Sequence, residues 1–319
     1  MSELPMHVMA GLLLDADGCV LLAQRPPGKH LAGLWEFPGG KREADEAPWP
    51  ALVRELREEL GIAVESGQPL IRVPWRYGER ELLLDAWCIR HWHGTPASLE
   101  GQALQWREPA AIDPQLLTPA DRPILQALRL PGEYWITPVD LKLSEIEHCY
   151  LRLCRAIESE GVRLLQLRMP TWPTVTVREL AARLLPQARE HGAQLLLNGD
   201  HEGARRLGSG VGVQLKATQL ASLARRPLPF DQLVGASCHD VDELSQAARI
   251  DADFATLSPV AMTLTHPDAQ PIGWDRFRIL AEAAALPVYA MGGLNRAQLA
   301  QARAANGQGV AGIRGFWAD

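Results

Sequence analysis

After Leu130 the chain becomes a series of short apolar segments, most of them followed by a helical pattern. The segments are YWITPV, RLLQLRM, QLLLNGD, GVQL, LVGASCH, FATLSPV, PVYAMGG and GVAGIRG, and stretches such as Val177 to Glu190 and Arg296 to Ala304 supply the helices. Eight β-α units in about 185 residues predict a compact parallel (β/α)8 barrel, whose functional groups belong at the carboxyl ends of the strands.

The residues ahead of Leu130 are mixed rather than alternating. Strands are expected at MHVMAGLLLD and CVLLAQR, near Leu70 to Pro74 and over Glu81 to His91, with helices over Pro48 to Leu60 and from Pro119. LRLPGEY, Leu128 to Tyr134, sets Pro and Gly between the last of these helices and the first barrel strand, so two domains are expected, 1–131 and 132–319. At 319 residues and 47% hydrophobic, each can bury a core of its own. A net charge of −6 gives no electrostatic footprint for a nucleic acid polymer, although a small anion held through metal ions is compatible with it. There is no 18-residue apolar run and no secretory pattern over Met1 to Ala10, so no membrane partner is expected and the location expected is cytoplasmic. Five cysteines, Cys19, Cys88, Cys149, Cys154 and Cys238, lack CxxC or zinc spacing and are expected as reduced thiols. His91 and His93, with no third ligand nearby, are expected at the surface.

One stretch is chemically unusual: GLWEFPGGKREADEAPWPALVRELREELGI, Gly33 to Ile62. Pro48 and Pro50 fit the first turn of a helix, where the N–H groups have no partner, so the helix should begin near Pro48. At ~100° per residue, Leu52, Leu56 and Leu60 share one side with Val53 at its margin, and Glu55, Glu58 and Glu59 crowd within a quadrant of another. Three such carboxylates repel one another unless cations sit among them, and Arg54 neutralises only part of the charge. Hard divalent cations prefer oxygen ligands and are shared with substrate phosphates, so a carboxylate ridge beside Gly39 and Gly40 suits the cleavage of a diphosphate bond. Taken alone, the glutamates describe only a solvated helix face.

The surrounding spacing narrows the reading. Gly40, five residues, Glu46, seven residues, then Arg54-Glu55-Leu56-Arg57-Glu58-Glu59-Leu60-Gly61-Ile62 resembles a complete Nudix box. Over Met6 to Leu130 the likeness narrows to MutT-type Nudix hydrolases, through Trp35-Glu36-Phe37-Pro38-Gly39-Gly40-Lys41, Arg25 in LLAQRPP, Glu100 in LEGQ and Pro119-Ala120-Asp121-Arg122-Pro123. The resemblance implies an α/β/α sandwich that cleaves nucleoside triphosphates, notably oxidised guanine nucleotides such as 8-oxo-dGTP, to monophosphate and pyrophosphate. It implies Mg2+, or Mn2+ in its place, held by the Gly40 carbonyl and Glu55, Glu58, Glu59 and Glu100, with Glu55 or Glu100 as the base. It also implies substrate contacts from Arg25, Phe37 and Asp121, the last at a position often held by asparagine. Phe37 reads rather as a core aromatic than as a base contact, and Asp121 equally as a helix cap.

From Tyr134 to Trp317 the chain resembles the thiamine phosphate synthase and TenI family. The matching segments are Gln166-Leu167-Arg168, the Asn198 region, Gly235-Ala236-Ser237-Cys238-His239, Ser258-Pro259-Val260 with Thr263, Thr265 and His266, Met291-Gly292-Gly293 and Arg314-Gly315. The likeness implies a barrel phosphate site at Arg168, Asn198, Ser237, Gly292, Gly293, Arg314 and Gly315, and a thiamine-related phosphate ligand. The departures are specific. The family's Asp after Asn198 reads Gly199 with Asp200 one place late, GVQLKATQL has no acid at the second metal position, and two expected basic residues read Pro170 and His266. Lost ligands and cations imply altered chemistry, or binding without chemistry. The expected whole is an α/β protein, a Nudix hydrolase joined to a synthase-like barrel. Two alternatives stay open: a diphosphatase for thiamine-related diphosphates, and a barrel that senses a phosphorylated ligand and regulates the Nudix domain.

Overall fold

The computed structural model describes residues 5–138, 140–263 and 270–317; Thr265 and His266 lie outside them. The chain forms two compact units, Met1–Arg129 and Leu130–Asp319.

The first unit contains, in order, β1 (Met6–Leu13), β2 (Val20–Gln24), β3 (Trp35–Glu36), α1 (Pro48–Leu60), β4 (Ala63–Tyr77), β5 (Arg80–His93), β6 (Leu104–Arg107) and α2 (Arg122–Arg129). β5 lies between β1, which runs parallel to it, and β4, which runs antiparallel. A second antiparallel sheet has the order β3-β2-β6. The helix expected from Pro119 begins as a 3-10 turn, Pro119–Asp121, and becomes α-helical at Arg122.

α1 starts at Pro48 and stops at Gly61, whose φ of 70° and N–H bond to the Arg57 carbonyl, 3.0 Å, close the last turn. Its apolar stripe of Leu52, Leu56 and Leu60 is fully buried with Met9, Leu13, Leu21 and Ile89. Gly11 lets β1 pass close beneath it, since a Cβ there would lie 2.9 Å from Leu56 Cδ1. This contact fixes the helix against the sheet, and with it the opposite, acidic side.

The second unit is a closed barrel of eight parallel strands in sequence order: β7 (Glu133–Ile136), β8 (Leu164–Leu167), β9 (Gln194–Asn198), β10 (Val211–Leu215), β11 (Val234–Cys238), β12 (Phe254–Leu257), β13 (Val288–Met291) and β14 (Gly309–Gly312), with β14 pairing back to β7. Between them lie α3 (Ile146–Glu158), α4 (Thr174–Glu190), α5 (His201–Leu207), α6 (Ala217–Leu220), α7 (Val241–Arg249), α8 (Gly273–Glu282) and α9 (Leu299–Ala304). All eight expected strand segments are present. They are mostly apolar along their whole length because both faces are covered, with Gln166, Asn198, Gln214, Ser237 and Thr256 among the exceptions. Tyr134, Ile136, Leu164, Leu196, Phe254 and Tyr289 form one buried cluster, while their neighbours Trp135, Leu165, Leu195, Ala255 and Val288 join another with the helices. Tyr134, Phe254 and Tyr289 meet with centroids 5.3–5.7 Å apart and fill the amino-terminal half of the barrel, which leaves its carboxyl ends for chemistry.

Leu56→Ala should cost about 2–5 kcal/mol by leaving a cavity that Gly11 cannot fill. Denaturant unfolding followed through the tryptophans of the first unit would measure it, and a loss below about 1 kcal/mol would mean that α1 is anchored elsewhere.

Candidate active site and barrel phosphate site

The glycine loop is stitched to β1 by three backbone bonds: Gly11 N–H to the Pro38 carbonyl at 2.8 Å, Met9 N–H to the Gly40 carbonyl at 2.7 Å, and Arg42 N–H to the His7 carbonyl at 2.9 Å. Gly39 has φ 149°, and a Cβ there would stand 2.1 Å from the Met9 carbonyl oxygen. A Cβ at Gly40 would stand 2.0 Å from Glu55 Oε2. Both glycines are therefore required by closeness, the second because the Glu55 carboxylate presses against the loop.

Arg54 organises the acidic side of α1. Its guanidinium donates to Glu46 through Nε and Nη2 at 3.1 and 2.8 Å, to Glu55 at 2.7 Å, to Glu58 at 3.2 Å and to the Lys41 carbonyl at 3.1 Å. Those bonds hold the arginine well above its ordinary range and the Glu46 carboxyl below its own. Arg54's partial neutralising role is legible in the helix spacing; its reach across the loop to Glu46 has no helical periodicity to betray it.

Glu59 turns the other way. It accepts from Gly39 N–H at 2.8 Å and from Gln102 Nε2 at 3.1 Å. Burial, reinforced by Glu36 and Glu100, pushes its carboxyl up to about 7 despite those bonds. The buried amide of Gln102 also accepts from Glu100 N–H at 3.1 Å, tying Glu59 to the Glu100 loop, a role the sequence did not disclose. Glu58 and Glu100 are open, with side chains 57% and 56% exposed, and Glu100 meets Lys29 at 3.4 Å. Among the described residues no three His, Cys, Asp or Glu side chains form a ready-made metal cluster. The donor set nevertheless suits a hard divalent cation: every group is an oxygen, the Gly40 loop and the Glu55 carboxylate meet closely, and half-buried Glu59 lies among acids that an added cation would relieve.

Arg25 donates to the His30 carbonyl at 2.6 Å and pairs with Glu36, whose carboxyl burial raises and Arg25 draws back. Phe37 is buried. Asp121 is buried too. It accepts from Thr118 Oγ1 at 2.5 Å and from the Phe37 backbone, and burial pushes it up to about 7. Neighbouring Ala120 donates to the Tyr77 hydroxyl at 3.1 Å. His93 pairs with Glu65 at 2.5 Å at the surface, and the five cysteines are free.

In the barrel the candidate residues follow the carboxyl ends of successive strands. Arg168, after β8, exchanges backbone bonds with the Thr137 hydroxyl at 2.8 and 3.1 Å, and its Nη1 is buried with no partner. Asn198 Oδ1 accepts from Gln166 Nε2 at 3.0 Å, and Ser237 Oγ accepts from Gln214 Nε2 at 3.1 Å. Gly292 and Gly293 have φ of 102° and 64°, and a Cβ at Gly293 would lie 2.1 Å from the Met262 carbonyl oxygen. Arg314 and Gly315 are exposed after β14. Asp200 is committed elsewhere: it caps α5 through Gly203 N–H at 3.0 Å and takes both arms of Arg178 at 2.6 and 2.7 Å.

The chain belongs to two families: the Nudix hydrolases through its first unit and the thiamine monophosphate synthases through its second. The Nudix domain profile matches residues 9–127 and the thiamine monophosphate synthase profile residues 134–316. The first unit is 46% identical over 115 residues to the CTP pyrophosphohydrolase of Escherichia coli K12, covering 36% of this chain and 85% of that protein. It is 29% identical to the 8-oxo-dGTP diphosphatase of the same organism, covering 39% and 96%. The second unit is 31% identical to the thiamine-phosphate synthase of Chloroflexus aurantiacus, covering 47% and 70%. The protein is a Nudix diphosphatase fused to a synthase-like barrel, and no helix among its described residues is long and apolar enough to cross a membrane.

Asp121 links burial to pH. Its folded value near 7 lies above the ordinary 3.8, so the neutral acid's contribution to stability is complete below about pH 4 and is lost as pH rises through about 7. Asp121→Asn, neutral throughout, should match the parent near pH 4 and exceed it at pH 8 by on the order of 4 kcal/mol. Denaturation midpoints at the two pH values would check this; a difference independent of pH would contradict it.

Proposed function

We propose that the first unit is a Mg2+-dependent hydrolase of oxidised guanine nucleoside triphosphates such as 8-oxo-dGTP, releasing the monophosphate and pyrophosphate. The observation that carries this reading is the seating of Glu55 against Gly40, with half-buried Glu59 held by the Gly39 N–H beside it. The Gly40 carbonyl and Glu55, Glu58, Glu59 and Glu100 would hold the cation; when bound, Mg2+, or Mn2+ in its place, supplies charge neutralisation for the phosphates. Glu55 or Glu100 accepts the proton of the attacking water. Arg25 contacts a phosphate, and Asp121, behind Phe37, reads the base.

The base edge gives a second reading. Ionised, Asp121 only accepts hydrogen bonds and matches the N1–H and amino edge of guanine or 8-oxoguanine; neutral, it donates once and accepts once, which matches the N3 and amino edge of cytosine. Its elevated value and the 46% identity to a CTP pyrophosphohydrolase support cytidine triphosphates as the alternative. Pyrophosphate release from a panel of guanine, 8-oxoguanine, cytosine and adenine triphosphates, together with thiamine-related diphosphates, decides between them. Asp121→Ala should change the ratios of kcat/KM between bases more than it slows all of them; unchanged ratios would reduce Asp121 to a structural acid.

Glu58→Gln, an isosteric change at an exposed site, should lower turnover by roughly two orders of magnitude or more with the fold intact. Near-normal hydrolysis at saturating Mg2+ would reject the carboxylate site.

For the barrel, the reading is phosphate binding without efficient thiamine phosphate synthesis. A departing pyrophosphate must be stabilised, and here Asp200 is locked to Arg178 and position 170 is proline. The full chain, supplied with a pyrimidine diphosphate and a thiazole phosphate, should form thiamine phosphate far more slowly than a dedicated synthase; a comparable rate would overturn this.

A further inference from the structure

We propose that the carboxyl-end mouth of the barrel binds a diphosphate or phosphomonoester group without a divalent cation, and that the ammonium of Lys216 supplies the positive charge a metal ion would bring. Lys216 follows β10 directly, and its side chain folds back across the neighbouring β9–α5 loop: a Cβ built on Gly199 would lie 3.1 Å from Lys216 Cε. Gln219 fastens the two loops together, donating to the Gly199 carbonyl at 2.8 Å and accepting from Lys216 N–H at 3.2 Å. Gly199 is what allows the lysine to lie so close to Asn198, since any side chain at that position, which has φ 74°, would meet it.

Three of the four carboxylates nearest the barrel mouth are already used, and the fourth is exposed. Asp200 is consumed by α5 and by both arms of Arg178, Asp240 caps α7 through Glu243 N–H at 2.9 Å, and Glu243 accepts from His239 N–H at 2.6 Å; Asp140, on the loop after β7, is exposed. A divalent cation does not fit this donor set. The positive groups are in the opposite condition. Arg168 buries Nη1 without a partner, which costs free energy unless an anion satisfies it, and Lys216 takes part in no ion pair among the described residues. An ammonium on a short tether does part of the work of a bound cation for a phosphate, as a point charge with three donors, and a chelator cannot remove it.

The inference rests on the reading of the barrel as a phosphate-binding site, and the two can fail separately. The full chain would be titrated calorimetrically with inorganic pyrophosphate, first in EDTA and then in excess Mg2+, as wild type, Lys216→Met, Lys216→Arg and Arg168→Met. Binding is expected in EDTA, weakened about tenfold by Lys216→Met or Arg168→Met and largely kept by Lys216→Arg. Binding in EDTA that Lys216→Met leaves unchanged would overturn the role of the lysine. Binding that appears only with Mg2+ and is lost in Arg168→Met would overturn the metal-free proposal while leaving the barrel a phosphate site; no binding that Arg168→Met alters, under either condition, would overturn both.

Discussion

The acidic side of α1 depends on one guanidinium. Glu46, Glu55 and Glu58 come together because Arg54 bonds to all three, and the same group grips the Lys41 carbonyl, so the glycine loop and the helix are joined through a single cation. The pairs are partly solvated, and any one of them alone stabilises little. Their value lies in geometry: the network leaves Glu55 facing Gly40 and lets Glu59 turn inward toward Gly39. One positive charge among three carboxylates leaves a negative surplus, and half-buried Glu59 beside it is raised toward 7 by burial first and by Glu36 and Glu100 after that. A site in this condition is poised for cations that arrive with an anionic substrate.

The barrel mouth shows the reverse imbalance. There Asp200 is neutralised by Arg178 and Asp240 and Glu243 are bonded to backbone N–H groups, while Arg168 Nη1 has no partner and Lys216 takes part in no ion pair among the described residues. On the proposed readings, the two units would handle phosphate by opposite electrostatic means, one through surplus carboxylate and the other through surplus cation. Because the imbalance is set locally in each unit, each one's chemistry follows from its own side chains.

The extent to which this was legible in the sequence follows from the range of the interactions. The eight barrel strands and α1, from Pro48 to Leu60, are written in local apolar runs, prolines and a terminal glycine, and all were readable. β3 and β6 were not, because two and four residues carry no periodicity; they are strands only through their pairing with β2. Gln102 was missed for a related reason, since its partner Glu59 is 43 residues away and a lone glutamine has no spacing rule. Lys216 could be seen only as a missing acid: that its chain lies over Gly199 is a property of neighbouring barrel strands, not of either segment alone.

Asp121 shows how the fold changes what a residue type can do. As a letter in the sequence it is a carboxylate, acceptor-only and suited to an edge that presents donors. Set in the 3-10 turn ahead of α2, buried and bonded to the Thr118 hydroxyl, it sits near 7 instead and holds comparable populations of acid and carboxylate at neutral pH. The main cause is desolvation, which outweighs the opposing bond from Thr118; Glu36 raises it further, and the Phe37 N–H and Arg25 draw it back less. A bound base whose edge presents donors favours the ionised form; one that presents an acceptor beside a donor favours the neutral form. On the reading proposed for Asp121, base preference is coupled to the same burial that fixes the residue, so a change in packing around Phe37 or Thr118 would move specificity without touching the base itself.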